Sequence, residues 1–274
     1  MTTTTDIFKN DILKGKIAFV TGGGSGICKG MTEALLTHGA SAVITSRSLE
    51  RLEKAAEEMR KATGGEILPV AADVRKPDEV EKAVKKAIET FAGNFLASAE
   101  TLSSNAFRTV VGIDLFGTFN VTKACFPYLK KSKGSIINVS TTLYYNATLF
   151  QAHVSAAKAG IDSLTRTLAT EWGPYGIRVN SLSPGTIADT EGFSRLLPVA
   201  AKEKTLKEIP LQRYGKIDDV KHATVFLASD AAAYISGHIL VVDGGDWLRK
   251  VGVLPYPASV LNPNEALSKS GVKL

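Results

Sequence analysis

Along the chain, short runs of β-branched and apolar residues alternate with longer stretches whose apolar positions recur at helical spacing. That alternation predicts βαβ units and a parallel sheet. KIAFVT (16–21) is the first predicted strand, followed by a helix over about 25–38, and SAVITS (41–46) is the second strand. LERLEKAAEEMRKA then places Leu49, Leu52, Ala56 and Met59 on one helical stripe, with Gly64-Gly65 as the stop. EILPVAA (66–72) is the third strand. Pro77 opens the next helix, whose apolar stripe is Val80, Ala83, Val84, Ala87, Ile88 and Phe91. Further on, the pattern predicts a long helix over about 103–131, a strand at GSIINVS (134–140), a helix over about 150–172 and a strand at IRVNSLSPG (177–185). Residues 190–210 are mixed and polar, as a mobile lid is. Asp218 is the predicted cap of a helix to about Ser229, and HILVVDGG (238–245) is the last strand. No linker divides the chain, so 1–274 reads as one domain, with about 1–14 and 250–274 as tails.

One member of the alternation is missing. Within KKAIETFAGNFLASAE (85–100) the helix ends near Phe91 and a polar loop follows at once. A doubly wound sheet of order 3-2-1-4-5-6 carries a fourth strand here, beside the first. The expected fold is therefore α/β, a Rossmann-like doubly wound parallel sheet with its fourth strand deleted between Phe91 and Ala92. The loss amounts to about ten residues, a turn plus a typical strand.

The length of 274 residues suits one α/β domain with a full core, and 44% apolar and 22% charged residues are ordinary globular values. An excess of 33 basic over 27 acidic side chains, net +6, favours anionic ligands such as phosphorylated cofactors, and equally fits a plain basic surface. No basic block interleaved with aromatics points to nucleic acid, and no apolar run reaches membrane-spanning length. No metal site is assigned. Two cysteines, Cys28 and Cys125, argue against a disulfide framework and for a reducing compartment. The opening MTTTTDIFKNDILKGK has no leader-like apolar core. The closing KSGVKL shares its last two letters with the peroxisomal Ser-Lys-Leu address.

TGGGSGIC (21–28) stands directly between the first strand and its helix. Glycines let the backbone turn tightly and approach a pyrophosphate at the positive end of a helix. The second strand ends TSRS, without the carboxylate that takes the ribose hydroxyls of NAD; Arg47 stands there, with Arg51 one turn on. A guanidinium at this place pairs with a 2′-phosphate, so NADPH is the expected cofactor. Asp73 is a candidate acceptor for the adenine amino group, or alternatively a cap of the next turn.

These landmarks, with DVR (73–75), GSIINVS, Lys158 in SAAKAGI, RVNSLSPGTI (178–187) and VDGG (242–245), resemble the short-chain dehydrogenase/reductase family over nearly the whole chain. The resemblance implies a cofactor site of Gly22, Gly23, Gly24, Ser25, Gly26, Ile27, Arg47, Ser48, Arg51, Asp73, Val74, Lys158, Pro184, Gly185, Ile187 and Thr190. The family pattern has a tyrosine four residues before the lysine, where the ammonium lowers the phenol pKa for proton transfer to a carbonyl. Here that position is Val154, and Asp114 in GIDLFGTFN stands where the family has asparagine. Valine transfers no proton, which speaks against ordinary alcohol–ketone chemistry. The combination, with AGNFL (92–96), LSSNAF (102–107), FQAHVSAAKAG (150–160) and TEGFSRL (190–196), resembles the 2,4-dienoyl-CoA reductases, the peroxisomal type above all.

That resemblance implies hydride transfer from NADPH to the distal end of a conjugated dienoyl thioester. Protonation near the thioester then gives a 3-enoyl-CoA, a step of unsaturated fatty acid β-oxidation. It also implies that Asp114 orients or feeds a water that supplies the proton, and that Lys158 binds the nicotinamide ribose. Asp114 has a plainer alternative, a buried helix carboxylate with ordinary partners. Tyr144 is a candidate donor to the thioester oxygen, or else a packing or interface residue, and His153 reads as pocket wall. Arg75 and Arg195 would take phosphate or pantetheine contacts, while Phe95, Ser103, Ser104 and Asn105 would line the acyl entrance. Ser103 also sits where an N-cap would. The expected partners are an acyl-CoA substrate and further copies of the chain, as a tetramer or dimer packed through the helices holding Asp114 and Lys158. No nucleic acid or membrane is expected. The expected location is the peroxisome, with the cytoplasm as alternative. The competing readings are a related reductase acting on another acyl or carbonyl substrate, and an inactive variant lacking a core strand.

Overall fold

The computed structural model describes residues 3–73, 75, 99–188, 190–197, 199–249 and 261. Its strands are β1 (Ile17–Thr21), β2 (Ser41–Ser46), β3 (Ile67–Ala71), β4 (Ser135–Val139), β5 (Arg178–Pro184) and β6 (Ile239–Val242). Its helices are α1 (Thr4–Ile7), α2 (Gly26–Thr37), α3 (Leu49–Thr63), α4 (Ser104–Val111), α5 (Gly117–Ser132), α6 (Ala152–Trp172), α7 (Glu191–Leu196), α8 (Val199–Glu208) and α9 (Ile217–Ala228). A π turn, Gly112–Phe116, joins α4 to α5.

The strands pair in parallel, as the alternation predicts. β1, β2 and β3 form one sheet in that order, with Ile17 opposite Ser41 and Ala42 opposite Ile67. β4, β5 and β6 form a second, with Ser135 opposite Arg178 and Ser181 opposite Ile239. Among the described residues no ladder joins β1 to β4. The expected deletion between Phe91 and Ala92, and the helix opened by Pro77, lie outside the described residues.

The helical stripe in 49–63 buries Leu52, Ala56 and Met59 against Ala42, Ile44 and Ile67. Leu49, read as part of that stripe, is exposed: it is the first residue of α3, before the turn that packs. Ser48 caps the helix, its hydroxyl accepting the Arg51 N–H at 3.3 Å, and Gly64 ends it in a left-handed conformation.

Helix α9 packs directly on α2. A Cβ on Gly30 would lie 2.2 Å from Ile217 Cγ2, so the approach depends on Gly30 having no side chain. Met31 of α2 shares a core with Val220 and Leu227 of α9 and with Leu182 of β5, which ties the first sheet to the second. The cap of α9 differs from expectation: the helix begins at Ile217, so Asp219 rather than Asp218 reaches back to accept the Lys216 N–H, at 2.8 Å.

The second sheet is covered on both faces. Ile137, Val139 and Leu182 face α9, whereas Ile136 and Val179 face Phe126 and Leu129 of α5 and Leu168 of α6. The polar region 190–210 holds α7 and α8. Thr190 caps α7 through the Phe193 N–H at 3.1 Å, and a Lys207–Glu203 pair at 2.6 Å spans one turn of α8.

Candidate active site

The connection from β1 to α2 is the glycine turn itself. Gly22 has φ 67°, and a Cβ on Gly23 would sit 2.5 Å from Ile44 Cγ2. Bare backbone therefore crosses the end of β2, and the first N–H groups of α2 open beyond it. Ser25 precedes the helix without capping it through its side chain, Gly24 and Gly26 lie on either side, and Ile27 packs into the core below. The turn fits a pyrophosphate: it is a cradle that side chains would fill.

Arg47 and Ser48 follow β2, and Arg51 lies in the first turn of α3. Asp73 and Arg75, expected to serve different ligands, are paired with each other. Arg75 Nε donates to both Asp73 oxygens, at 2.7 and 2.9 Å, and its Nη2 closes on Oδ2. The Arg75 hydrogen bonds, with Arg47 adding to them, hold the Asp73 carboxyl below its usual range. The candidate adenine acceptor thus already has a cationic partner. Val74 lies outside the described residues.

Asp114 lies in the π turn with its side chain only 2% exposed. Lys158 Nζ stands 3.2 Å from Asp114 Oδ2 and donates to the Val139 carbonyl at 3.0 Å. The long helix expected over 103–131 is interrupted here. Glycines bound the π turn at 112 and 117, where helix propensity is low. The wider turn aims Asp114 inward, and such turns recur at functional sites. Helix α6 comes close because Gly160 is bare: a Cβ there would lie 2.7 Å from Leu115 Cδ2. Val154, one turn before Lys158, is buried and offers no proton. The Lys158 charge also reaches the Cys28 thiol at the start of α2, although burial dominates and pushes that thiol up.

Tyr144 is not brought to this pair. Its hydroxyl donates to Asp162 Oδ2, while Ser181 Oγ donates to Asp162 Oδ1 at 3.0 Å. Burial, and then the Asp162 carboxylate, push the Tyr144 phenol well above its ordinary value. Asp162 is fully buried, one turn after Lys158, and the sequence reading passed over it. Its signal was an acidic residue beside Ile161 on the apolar face of a long helix. His153 is fully buried in the first turn of α6.

An open cavity of about 560 Å³ lies between the start of α4 and the start of α6, lined by Ala99, Leu102, Ser104, Phe107, Arg108 and Ala152. Ser104 lines this cavity. Ser103 caps α4, its hydroxyl accepting the Ala106 N–H at 3.1 Å, and the Asn105 carbonyl accepts the Thr109 hydroxyl within the same helix. Phe107 and Arg108 were missed; their spacing from Ser104 on α4 was the available clue. Arg195 belongs to α7, but its side chain, like the whole of Phe95, lies outside the described residues. Pro184 ends β5, Gly185 passes Asp243 so closely that a Cβ would meet it at 2.5 Å, and buried Ile187 bridges to Gly215. Thr190 donates to the Ile187 carbonyl at 2.9 Å.

A family model described as enoyl-(acyl carrier protein) reductase matches residues 22–246. The peroxisomal 2,4-dienoyl-CoA reductase SPS19, (3E)-enoyl-CoA-producing, of Saccharomyces cerevisiae is 49% identical over 253 aligned positions, covering 88% of this chain and 87% of that protein. The peroxisomal 2,4-dienoyl-CoA reductase of Danio rerio is 45% identical over 256 positions, covering 89% and 85%. Since 88% of 274 residues is about 241, the yeast alignment holds about a dozen positions more than this chain supplies, and the zebrafish alignment shows the same excess. Among solved structures, a gluconate 5-dehydrogenase from Burkholderia cenocepacia in complex with NADP and tartrate matches at TM-score 0.81 and 26% identity, covering 89% of this chain and all of that one.

The Tyr144–Asp162 contact has a pH signature. The unfolded phenol titrates near 10 and the native one higher, so the unfolded state loses its proton first and stability falls as pH rises above about 10. Tyr144→Phe should flatten that fall, and at neutral pH should lower stability by about 1–3 kcal/mol by leaving Asp162 with Ser181. Urea unfolding of both proteins between pH 7 and about pH 11 checks it; parallel curves would show that the phenol does not titrate against Asp162.

Proposed function

Because the chain belongs to the short-chain dehydrogenase/reductase family, we propose that it reduces 2,4-dienoyl-CoA to 3-enoyl-CoA with NADPH, in the peroxisomal β-oxidation of unsaturated fatty acids. The observation that carries this reading is the buried Asp114–Lys158 pair next to Val154. A site of this family that has lost its phenol and gained a carboxylate is suited to protonating carbon through water rather than a ketone oxygen through tyrosine. The yeast and zebrafish relatives are named for this dienoyl-CoA reaction.

Bound NADPH supplies the hydride. The glycine turn holds the pyrophosphate, and Arg47 with Arg51 takes the 2′-phosphate, which sets NADPH above NADH. Lys158, already fixed by Val139, holds the nicotinamide ribose. Asp114 holds the water that delivers the proton, one proton for each hydride transferred. The cavity at α4 supplies apolar wall for the acyl chain from Leu102 and Phe107 and a cation for the coenzyme A phosphates from Arg108. Phe116, 61% exposed at the end of the π turn, and Phe119, in the first turn of α5, lie close along one face, an apolar face that fits packing against a second copy.

The direct test is NADPH consumption by purified protein with a short 2,4-dienoyl-CoA, beside a ketoacyl-CoA control; consumption with the ketoacyl thioester alone would reject the assignment. Asp114→Ala should reduce dienoyl turnover by roughly 10²–10⁴-fold, the range for a lost acid–base group, while NADPH still binds. Full turnover in that variant would remove Asp114 from the mechanism. Arg47→Asp should weaken NADPH by roughly 10–100-fold, the size of a charged hydrogen-bond loss, and leave NADH little changed. Equal affinity of the unaltered protein for both cofactors would count against Arg47. Sedimentation at micromolar concentration should show a dimer or tetramer, and a monomer would refute the α5 interface.

A further inference from the structure

In a doubly wound sheet the first strand and its neighbours are interior and covered on both faces. β2 and β5 behave that way, with four of six and six of seven residues buried. β1 and β4 do not: of their ten residues Asn138 alone is buried, and Ile17 is 77% exposed. Among the described residues each is the outer strand of a three-stranded parallel sheet. β1 contacts α2, β4 contacts α9, and α2 packs on α9, so both edges lie beneath one helix pair with no ladder between them among the described residues. An open edge leaves a row of backbone donors and acceptors without strand partners, which is costly inside a domain.

The chain length points the same way. The alignments to the yeast and zebrafish relatives each hold about a dozen positions that this chain does not fill. A turn plus a strand of typical length needs about that number. The sequence passes from an apolar helical stripe at Phe91 to a polar loop with no strand between.

We infer that this chain lacks the core strand that would join β1 to β4, and that the loss uncouples its cofactor-binding half from its proton-delivering half. The glycine turn, Arg47 and Arg51 belong to the first sheet and its helices. Lys158 is anchored on Val139, the last residue of β4, and Asp114 depends on Lys158. The first half carries the glycine turn, Arg47 and Arg51 together, and these recognise the adenosine bisphosphate portion of NADPH. Among the described residues the distance from the nicotinamide to the Asp114–Lys158 pair is left to helix packing and to the Lys221–Glu33 and Lys16–Asp230 ion pairs, and a misplacement of about 1 Å costs on the order of a hundredfold in rate. The turnover part of this inference rests on the proposed reductase reading; the strand itself does not.

The test compares the chain with a variant carrying, between Phe91 and Ala92, the residues that the yeast relative has at that point. A second variant carries a Gly/Ser segment of equal length. The yeast segment should raise the melting temperature by several degrees. It should raise kcat/KM for dienoyl-CoA reduction on the order of a hundredfold. Affinity for adenosine 2′,5′-bisphosphate, read by calorimetry, should stay within about twofold, as for independent sites. The Gly/Ser segment should restore none of this. Equal melting and turnover with and without the yeast segment would overturn the inference and leave the reductase reading standing. A higher melting temperature without dienoyl reduction would uphold the strand and sink the reductase reading. A gain in bisphosphate affinity as large as the gain in turnover would overturn the uncoupling, because the first half would then not be complete by itself.

Discussion

An acid buried like Asp114 constrains everything around it. A carboxylate with so little exposure persists only where a counter-charge or hydrogen-bond donors meet it, and losing a counter-charge costs about 3–5 kcal/mol. The partner is Lys158, and three features bring it within 3.2 Å. The π turn points Asp114 inward, Gly160 lets α6 settle against Leu115, and the Val139 carbonyl takes one of the ammonium protons. Val154 completes the arrangement by keeping apolar surface where a phenol would otherwise stand. The chemistry assigned to this site follows from that buried pair.

A second buried carboxylate lies one turn further along α6 and has different company. Asp162 receives two hydroxyls, from Tyr144 and Ser181, and no cation contacts it in the described hydrogen bonds or ion pairs. It binds the segment after β4 to α6 and β5, so it stabilises the platform on which Lys158 stands. Two acids four helix positions from one lysine, or facing it, thereby take separate tasks through their neighbours rather than their own chemistry.

The two sheets are joined differently. Gly30 allows α2 to meet α9 at backbone distance, and Met31 carries the apolar core across to β5. Helix packing is tolerant of small shifts, whereas a ladder fixes register residue by residue. A site whose cofactor turn stands on one sheet and whose acid stands on the other needs the stricter joint.

The sequence by itself determined the parallel α/β alternation, the glycine turn, the basic end of β2 and the replacement of tyrosine by Val154. These are local: period-2 and period-3.6 patterns, a bare backbone between strand and helix, and one residue type at one helical offset. It also reads a break between Phe91 and Ala92, which lies outside the described residues. It assigned no helices in 190–210 because propensity is weak where caps and i,i+4 pairs decide, and it passed over Asp162, Phe107 and Arg108 because each matters only through what it meets. Only the tertiary structure decided that Asp73 and Arg75 hold each other, that Tyr144 turns to Asp162, and that a long helix opens into a π turn. The first two are choices of partner, and for Tyr144 with Asp162 the choice is made under burial, where an unpaired charge or hydroxyl is too costly to leave; partners and burial alike are properties of the assembled chain.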